Sequence, residues 1–289
     1  MFTHLVFWLW FAGLTFLVAG LVAVRKGLVT GGGLDKLIAL GPVFVAAPLA
    51  TFGAEHFVAA HDIMQLVPAW MPGRLFWTYL VGCSLLAAAT SLVTMKFVRL
   101  SGTLLGVMFF LFVLMMDLPG AFADPGNRLG WNFVLRESAF AGGAWALAGS
   151  QSLELRTGKR NWMILVGRYC VAMAAIYFGV EQLLHPAFAP GVPDAKLTPA
   201  WIPLHALWGY PVGAFLLVAG TALLLNQRAR MAAAGIGVVM TLLTVLLYLP
   251  ILAVTAQVSQ MTEAINFVFD TLLFAGTALV IARTLPAQG

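Results

Sequence analysis

The stretch MAAAGIGVVMTLLTVLLYLPILAV, residues 231–254, carries no charged side chain from end to end. About 20 consecutive apolar residues are enough to cross roughly 30 Å of hydrocarbon as an α-helix. Uncharged runs of similar length occupy residues 5–24, 75–94 and 206–225. Because lipid cannot satisfy the backbone groups of open strands, these runs predict an all-α polytopic membrane protein.

The composition indicates the same class, since 61% of the residues are hydrophobic, 9% are charged and the mean hydropathy is +0.94. Soluble domains carry about 25% charged residues. The lipid bilayer is therefore the expected partner, and no nucleic-acid partner is expected. The two cysteines, Cys83 and Cys170, lie in apolar runs without a CxxC spacing, so no thiol–disulfide centre within the chain is predicted.

Two parts of the chain repeat each other. Residues 67–82, VPAWMPGRLFWTYLVG, match residues 198–213, TPAWIPLHALWGYPVG, at an offset of 131. The match continues with NFVLRESAFAGG (132–143) against NFVFDTLLFAGT (266–277) at an offset of 134, and with FGAEHF (52–57) against FGVEQL (178–183) at an offset of 126. Such self-similarity predicts two copies of one structural unit.

Each copy contains four apolar segments, which together with the N-terminal run give about nine predicted transmembrane helices. We divide the chain into an N-terminal helix (1–30), a first four-helix repeat (31–155) and a second four-helix repeat (156–289). The segments lie at about 37–58, 75–94, 100–118 and 131–150 in the first copy, and at 162–184, 205–225, 231–252 and 264–282 in the second. Because four is an even number, both copies should enter the membrane in the same direction.

The lysines and arginines between these segments are distributed unevenly. One side of the membrane receives Arg25, Lys26, Lys36, Lys96, Arg99, Arg156, Lys159, Arg160, Arg228, Arg230 and Arg283, and the other receives Arg74, Arg128 and Lys196. Positively charged loops usually stay in the cytoplasm. The distribution therefore predicts an outside N-terminus and a cytoplasmic C-terminus, with a bacterial inner membrane as the expected location.

The duplicated unit resembles the DoxX-like family of four-helix membrane proteins. The likeness rests on Glu55, His56, Pro68, Trp70, Pro72, Trp77 and Gly82 in the first copy and on Glu181, His185, Pro199, Trp201, Pro203, Trp208 and Gly213 in the second. The resemblance implies a link to quinone-dependent or sulfur- and thiol-linked redox systems, and with it a redox partner protein or a larger membrane complex. A tandem form departs from the family's single four-helix unit.

Four ionisable residues near the outer ends of the first helices are the candidate catalytic residues: Glu55, His56, Glu181 and His185. The two glutamates are at equivalent repeat positions, where a carboxylate in apolar surroundings usually faces protein or water. Glu181 and His185 are spaced i,i+4 and share a helix face, whereas His56 lies about 100° from Glu55. Such a pair can hold a proton or be purely structural, and each glutamate can instead be an interfacial carboxylate capped by solvent.

A second group of residues is predicted to bind a ligand under the outer loops: Trp70, Asp117, Asn132, Arg136, Trp201, His205, Asn266 and Asp270. Arg136 and Asp270 occupy equivalent positions and are expected to form an ion pair across the repeat interface, because intramembrane charges usually pair. Alternatively, Arg136 neutralises Asp117, whose counterpart is Tyr248. The tryptophans either belong to an aromatic belt or stack on a flat ligand such as a quinone ring.

No spacing typical of a metal site is present, so no metal is predicted. A quinone is the cofactor that the resemblance suggests, and haem ligation would need His56, His185 and His205 at matching depth.

The outer connections at 59–74 and 186–204 are rich in proline and are expected to form ordered lids. The second is five residues longer between the glutamate and Pro-Ala-Trp-Pro, so one copy can keep a site while the other becomes scaffold.

Three functions follow from these observations, and the sequence leaves them open. The first is a DoxX-like membrane subunit of a redox system, with proton-handling residues beside a quinone-sized site. The second is a transporter or binding protein for a small apolar or anionic molecule, with Arg136 near the floor of a cleft between the repeats. The third is a structural subunit of a membrane complex, in which the polar residues only lock helices together.

Overall fold

The computed structural model describes residues 2–151, 161–192, 196–205 and 207–286, and this part of the chain is helical apart from turns and one isolated β-bridge between Phe188 and Leu197. The first half contains α1 (Phe2–Thr30), α2 (Gly33–Ala39), α3 (Gly41–Val58), α4 (Ala60–Ile63), α5 (Arg74–Thr94), α6 (Val98–Phe112), the π-helix π1 (Val113–Asp117), α7 (Leu118–Ala123) and α8 (Arg128–Ser150). The second half contains α9 (Trp162–Leu184), α10 (Gly209–Leu224), α11 (Ala229–Leu243), the π-helix π2 (Thr244–Tyr248), α12 (Leu249–Val254) and α13 (Val258–Thr284).

Seven segments of the described chain are long and apolar enough to cross a membrane. They are Leu5–Thr30, Gly33–Val58, Arg74–Thr94, Val98–Ala123, Trp162–Leu184, Ala229–Val254 and Gln260–Thr284. The expectation of an all-helical membrane protein is thereby confirmed. Two of the nine predicted helices fall short of this standard: α10 has only 16 residues, and α8 carries Arg136 and Glu137 in its middle.

Some features of the sequence analysis lie outside the described residues. Arg156, Lys159 and Arg160, which were assigned to the positively charged side, belong to the undescribed segment 152–160. The boundary between the two predicted repeats, after residue 155, lies in the same segment. The division of the chain into these domains stays a prediction.

Small residues allow four helices at the centre of the bundle to pack closely. A Cβ added to Gly167 on α9 would lie 2.3 Å from the carbonyl oxygen of Gly142 on α8. On the opposite side, a Cβ added to Gly276 on α13 would lie 2.6 Å from the backbone carbon of Phe44 on α3. These backbones approach each other so closely that only glycine fits. Helix α13 is almost entirely buried within the bundle, whereas most of α1 is exposed on its outside.

The two π-helices occur at corresponding places in the two halves. In each, the backbone N–H of the leucine before a proline donates to a carbonyl five residues earlier, from Leu118 to Val113 and from Leu249 to Thr244. A proline inside a helix has no N–H and its ring crowds the carbonyl four residues before it. The wider π turn relieves this crowding, and such turns are frequent at functional sites. Asp117 and Tyr248 are the last residues of the two π-helices.

Candidate functional site

A cavity of about 1400 Å³ lies between helices of the first half of the chain and α13 of the second half. It is bounded by α3, α5, α6, π1, α8 and α13, and the connection between α3 and α5 (residues 59–73) closes one end of it. Hydroxyls of Ser91 and Ser101, 2.7 Å apart, join α5 and α6 near their turn. Along most of the rest of their length the cavity separates these two helices, because residues from Leu80 to Thr94 and from Phe97 to Phe112 line it.

The cavity walls are mainly apolar and reach the outer surface of the bundle. Leu80 on α5 is 43% exposed and Leu104 on α6 is 59% exposed, and both also line the cavity. Their neighbours on the outer surface of these helices are apolar, as expected for helices that face lipid. The cavity is therefore a groove that opens sideways between α5 and α6.

One part of the lining is polar, and we call it the polar cluster. Its members come from α3, π1, α8 and α13: Glu55, His56, Asp117, Arg136, Glu137, Asn266 and Asp270. The sequence predicted six of these seven as site residues, namely all of them except Glu137. The structure thus brings six of the predicted residues to one cavity.

Arg136 is the centre of the cluster. Its Nη1 donates to Asp270 Oδ2 at 3.0 Å, and its Nη2 donates to Glu137 Oε1 at 3.1 Å. The ion pair between Arg136 and Asp270 that the sequence predicted is confirmed. Elsewhere in the cluster, the amide of Asn266 donates to Glu55 Oε1 at 3.1 Å, and the Nδ1–H of His56 donates to the carbonyl of Phe52 at 2.7 Å.

Several buried polar atoms of the cluster have no hydrogen-bond partner in the protein. They are Asp117 Oδ2, Glu137 Oε2, Asn266 Oδ1 and Arg136 Nε. Three of these four atoms are acceptors, and an unpaired buried polar group costs about 1–3 kcal/mol. The cluster therefore has three acceptor atoms and one donor atom left for further hydrogen bonds.

The candidate glutamate and histidine of the second half, Glu181 and His185, lie elsewhere. His185 directly follows α9, and its Nε2 is 3.9 Å from Glu181 Oε2. Arg128 Nη1 lies 3.6 Å from the same oxygen, and the guanidinium of Arg128 stacks 4.0 Å from the ring centre of Phe188. Neither Glu181 nor His185 lines the cavity. Among the described residues they form a separate group that holds the connection after α9 in place.

The remaining predicted site residues are also outside the cavity lining. Trp70 is 70% exposed and Trp201 is 52% exposed, and His205 is exposed as well. Asn132 is buried, and its Oδ1 has no hydrogen-bond partner. Glu137 was missed, although it lies beside Arg136 in the described structure. The available signal was a second charged residue next to Arg136 in an otherwise apolar helix.

In the second half, a chain segment packs against α9, π2 and α13. Residues 188–192 fold inward, with Ala189 and Val192 completely buried. The Nε2 of Gln182 donates to the carbonyl of Phe188 at 2.9 Å, and the hydroxyl of Tyr248 donates to the carbonyl of Pro190 at 3.0 Å. Thr271 Oγ1 donates to the carbonyl of Val192 at 2.8 Å. We call residues 188–192 the inserted segment.

Replacing Tyr248 by phenylalanine should loosen this inserted segment. The change removes the hydroxyl that bonds Pro190 and leaves a buried carbonyl without that donor, which we expect to cost about 1–2 kcal/mol of unfolding free energy. Limited proteolysis and amide hydrogen exchange of residues 188–192 in detergent would measure it. Tyr210→Phe is the matched control, since Tyr210 is 47% exposed. Equal protection of the segment in both variants would contradict the prediction.

Comparison with known proteins gives one match. A family described as "Domain of unknown function (DUF8561)" matches residues 45–122, less than a third of the chain. The matched residues include α5 and α6 and most of α3, with Glu55, His56 and Asp117 among them. No curated protein and no solved structure matches the chain. Among the described residues, no group of three or more His, Cys, Asp or Glu side chains is arranged to hold a metal ion.

Proposed function

We propose that this chain is an integral membrane protein that binds an amphiphilic small molecule in the cavity of its first half. The observation that carries the proposal is the groove itself. It has a volume of about 1400 Å³, apolar walls that open between α5 and α6, and one cluster of unpaired polar atoms. Ligand sites in proteins are typically concave, mostly apolar and provided with a few convergent polar groups.

The proposed ligand enters from the bilayer. The lateral opening is lined by Leu80 and Leu104, both largely exposed on the outer surface of the bundle. An apolar molecule dissolved in lipid can reach the groove without crossing water. The polar cluster then orients the head of the molecule, since Arg136, Asp117 and Glu137 all face the cavity.

Filling the groove should abolish binding. Ser84 lines the cavity on α5, whereas its neighbour Cys83 is exposed and does not. We expect Ser84→Trp to remove the lipophilic molecule that co-purifies from native membranes, because the indole occupies the groove. Mass spectrometry of gently purified protein would measure the bound molecule. Cys83→Trp adds the same ring outside the cavity and should retain it.

Two results would argue against this function. The first is protein that carries no lipophilic molecule in any variant but retains the same partner proteins, which would favour a structural subunit. The second is equal retention of the molecule by Ser84→Trp and Cys83→Trp, which would locate binding elsewhere.

We also infer that the chain has the layout expected from its sequence, an N-terminal helix followed by two parallel four-helix repeats. The repeated offsets support it, because the two π-helices lie 131 residues apart. The close contact of Gly167 with Gly142 and that of Gly276 with the α3 backbone also fall at matching positions. On this layout α8 and α10 complete nine membrane helices. Reporter fusions at both termini would test the proposed outside N-terminus, cytoplasmic C-terminus and inner-membrane location.

A redox function is the second candidate, and the resemblance to the DoxX-like family supports it. The groove is large enough for a quinone, and Arg136 Nε offers a donor to a ring carbonyl. Glu55 and His56 line the same cavity and would handle protons there. A bound quinone supplies electron transfer. This candidate would be favoured if the co-purifying molecule is a quinone and if protein with Glu55→Gln no longer retains it.

A further inference from the structure

We propose that the molecule bound in the cavity carries a positively charged hydrogen-bond donor, an ammonium group, on an apolar body. This inference rests on the proposed binding function and on the proposed duplication. The observation behind it is the difference between the two halves: the first has an open cavity, and the second has the inserted segment.

The inserted segment shows which chemical groups pack against the helices of the second repeat. In the second half, the cleft walls provide three donors, the side chains of Gln182, Tyr248 and Thr271. Each donates to a backbone carbonyl of residues 188–192, which are acceptors. Gly191 has a φ of +124°, a conformation that glycine adopts readily, and a Cβ added there would lie 3.4 Å from the ring of Tyr248. The inserted segment and the surrounding side chains are thus complementary, because the segment supplies hydrogen-bond acceptors and the side chains supply donors.

The first half replaces these three donors at the same repeat positions. At the offsets of 126, 131 and 134, Gln182 corresponds to His56, Tyr248 to Asp117, and Thr271 to Glu137. Asp117 and Glu137 each retain a buried carboxyl oxygen without a hydrogen-bond partner. At two of the three positions the wall has therefore changed from a donor to an acceptor. A molecule that is complementary to the cavity must therefore supply hydrogen-bond donors at the positions where the inserted segment supplies carbonyls in the second half.

The charges of the cluster favour a cationic donor. Arg136 is the only arginine or lysine of the polar cluster, and it already contacts Asp270 and Glu137. Glu55 and Asp117 add two further carboxyl groups to the same cavity. Uncompensated charges in a low-dielectric interior are expensive, so the excess of carboxyl groups needs protons or a positive group. An ammonium head provides both the charge and the donors.

The groove accounts for the apolar body. From Asp117 the lining continues along α5 and α6 through residues such as Leu105, Met108 and Phe112. A chain attached to an ammonium at the polar cluster would extend between these helices toward the lateral opening. The first connection is five residues shorter than its counterpart between the glutamate and Pro-Ala-Trp-Pro, so it leaves this space unfilled.

The test compares probes that differ only in their heads. Dodecylammonium, dodecanol and dodecyl sulfate would be titrated calorimetrically into protein in phosphatidylcholine nanodiscs, with protein-free nanodiscs subtracted. We expect the ammonium to bind at least about tenfold more tightly than the other two, because hydrogen bonds from a charged donor are stronger than those from a neutral one. Asp117→Asn and Glu137→Gln should each reduce this preference, whereas Asp124→Asn, at an exposed turn, should not.

The outcomes separate this inference from the proposed function. If Ser84→Trp blocks all three probes but the ammonium is not preferred, the cavity binds ligands and the ammonium assignment is wrong. If Ser84→Trp leaves ammonium binding unchanged, the binding function fails as well. If added phosphatidylethanolamine competes with dodecylammonium, the source of the ammonium is a lipid head group. If it does not compete, the source is a free amine. Either source agrees with the inference.

Discussion

Replacing Arg136 by glutamine is expected to destabilise the protein by about 3–5 kcal/mol, the range found when one partner of a buried ion pair is removed. The guanidinium contacts both Asp270 and Glu137 and is largely enclosed by the bundle. Without it, the polar cluster would hold the carboxyl groups of Glu55, Asp117, Glu137 and Asp270 and no arginine or lysine. Reversible unfolding in mixed detergent micelles, followed by circular dichroism, would measure the change.

Two further variants make this prediction specific. Arg99→Gln removes an exposed arginine at the start of α6 and should change the unfolding free energy by less than about 0.5 kcal/mol. The exchange variant, Arg136→Asp with Asp270→Arg, should recover part of the loss caused by either single change. If the exchange variant is no more stable than the single variants, direct pairing of Arg136 with Asp270 is not what stabilises the cluster.

Replacing Gly167 by alanine is expected to cost about 3 kcal/mol, the upper end of the range for overpacking. The added methyl group would lie 2.3 Å from the carbonyl oxygen of Gly142, and a backbone atom cannot rotate away as a side chain can. The helices α8 and α9 would have to separate. Since these two helices join the two halves of the chain, we expect reduced thermal stability together with easier proteolysis between the halves.

Gly120→Ala is the matched control for this substitution. Gly120 lies in α7, where an added Cβ would meet no atom within 4 Å. Alanine favours helix over glycine by about 0.5–1 kcal/mol, so this control should be neutral or slightly stabilising. A similar thermal shift for Gly167→Ala and Gly120→Ala would show that the close helix contact has little energetic importance.

The sequence predicted the relation between Arg136 and Asp270 because two charges in apolar helices at matching repeat positions have few alternatives to pairing. It did not reveal Glu137, because the counterpart Thr271 is uncharged and no charge pairing between the repeats pointed to this position. It also grouped Glu181 and His185 with Glu55 and His56 by analogy. In the structure only the latter two line the cavity.

The cavity itself could not be derived from residue patterns. The chain between α3 and α5 does not fill the space beside Asp117, and an unfilled volume has no sequence motif. The five-residue difference between the two connections was the visible sign. The direction in which residues 188–192 fold depends on hydrogen bonds from Tyr248 and Thr271 that only the assembled helices bring together.

The sideways opening between α5 and α6 affects how any ligand affinity must be expressed. A molecule that enters through this opening is first dissolved in the hydrocarbon, where its concentration depends on the amount of lipid rather than on the volume of buffer. Dissociation constants in aqueous units would therefore change when the lipid-to-protein ratio changes. A mole fraction within the bilayer is the quantity that should stay constant, and dilution of the sample with buffer alone should release little of a strongly partitioning ligand.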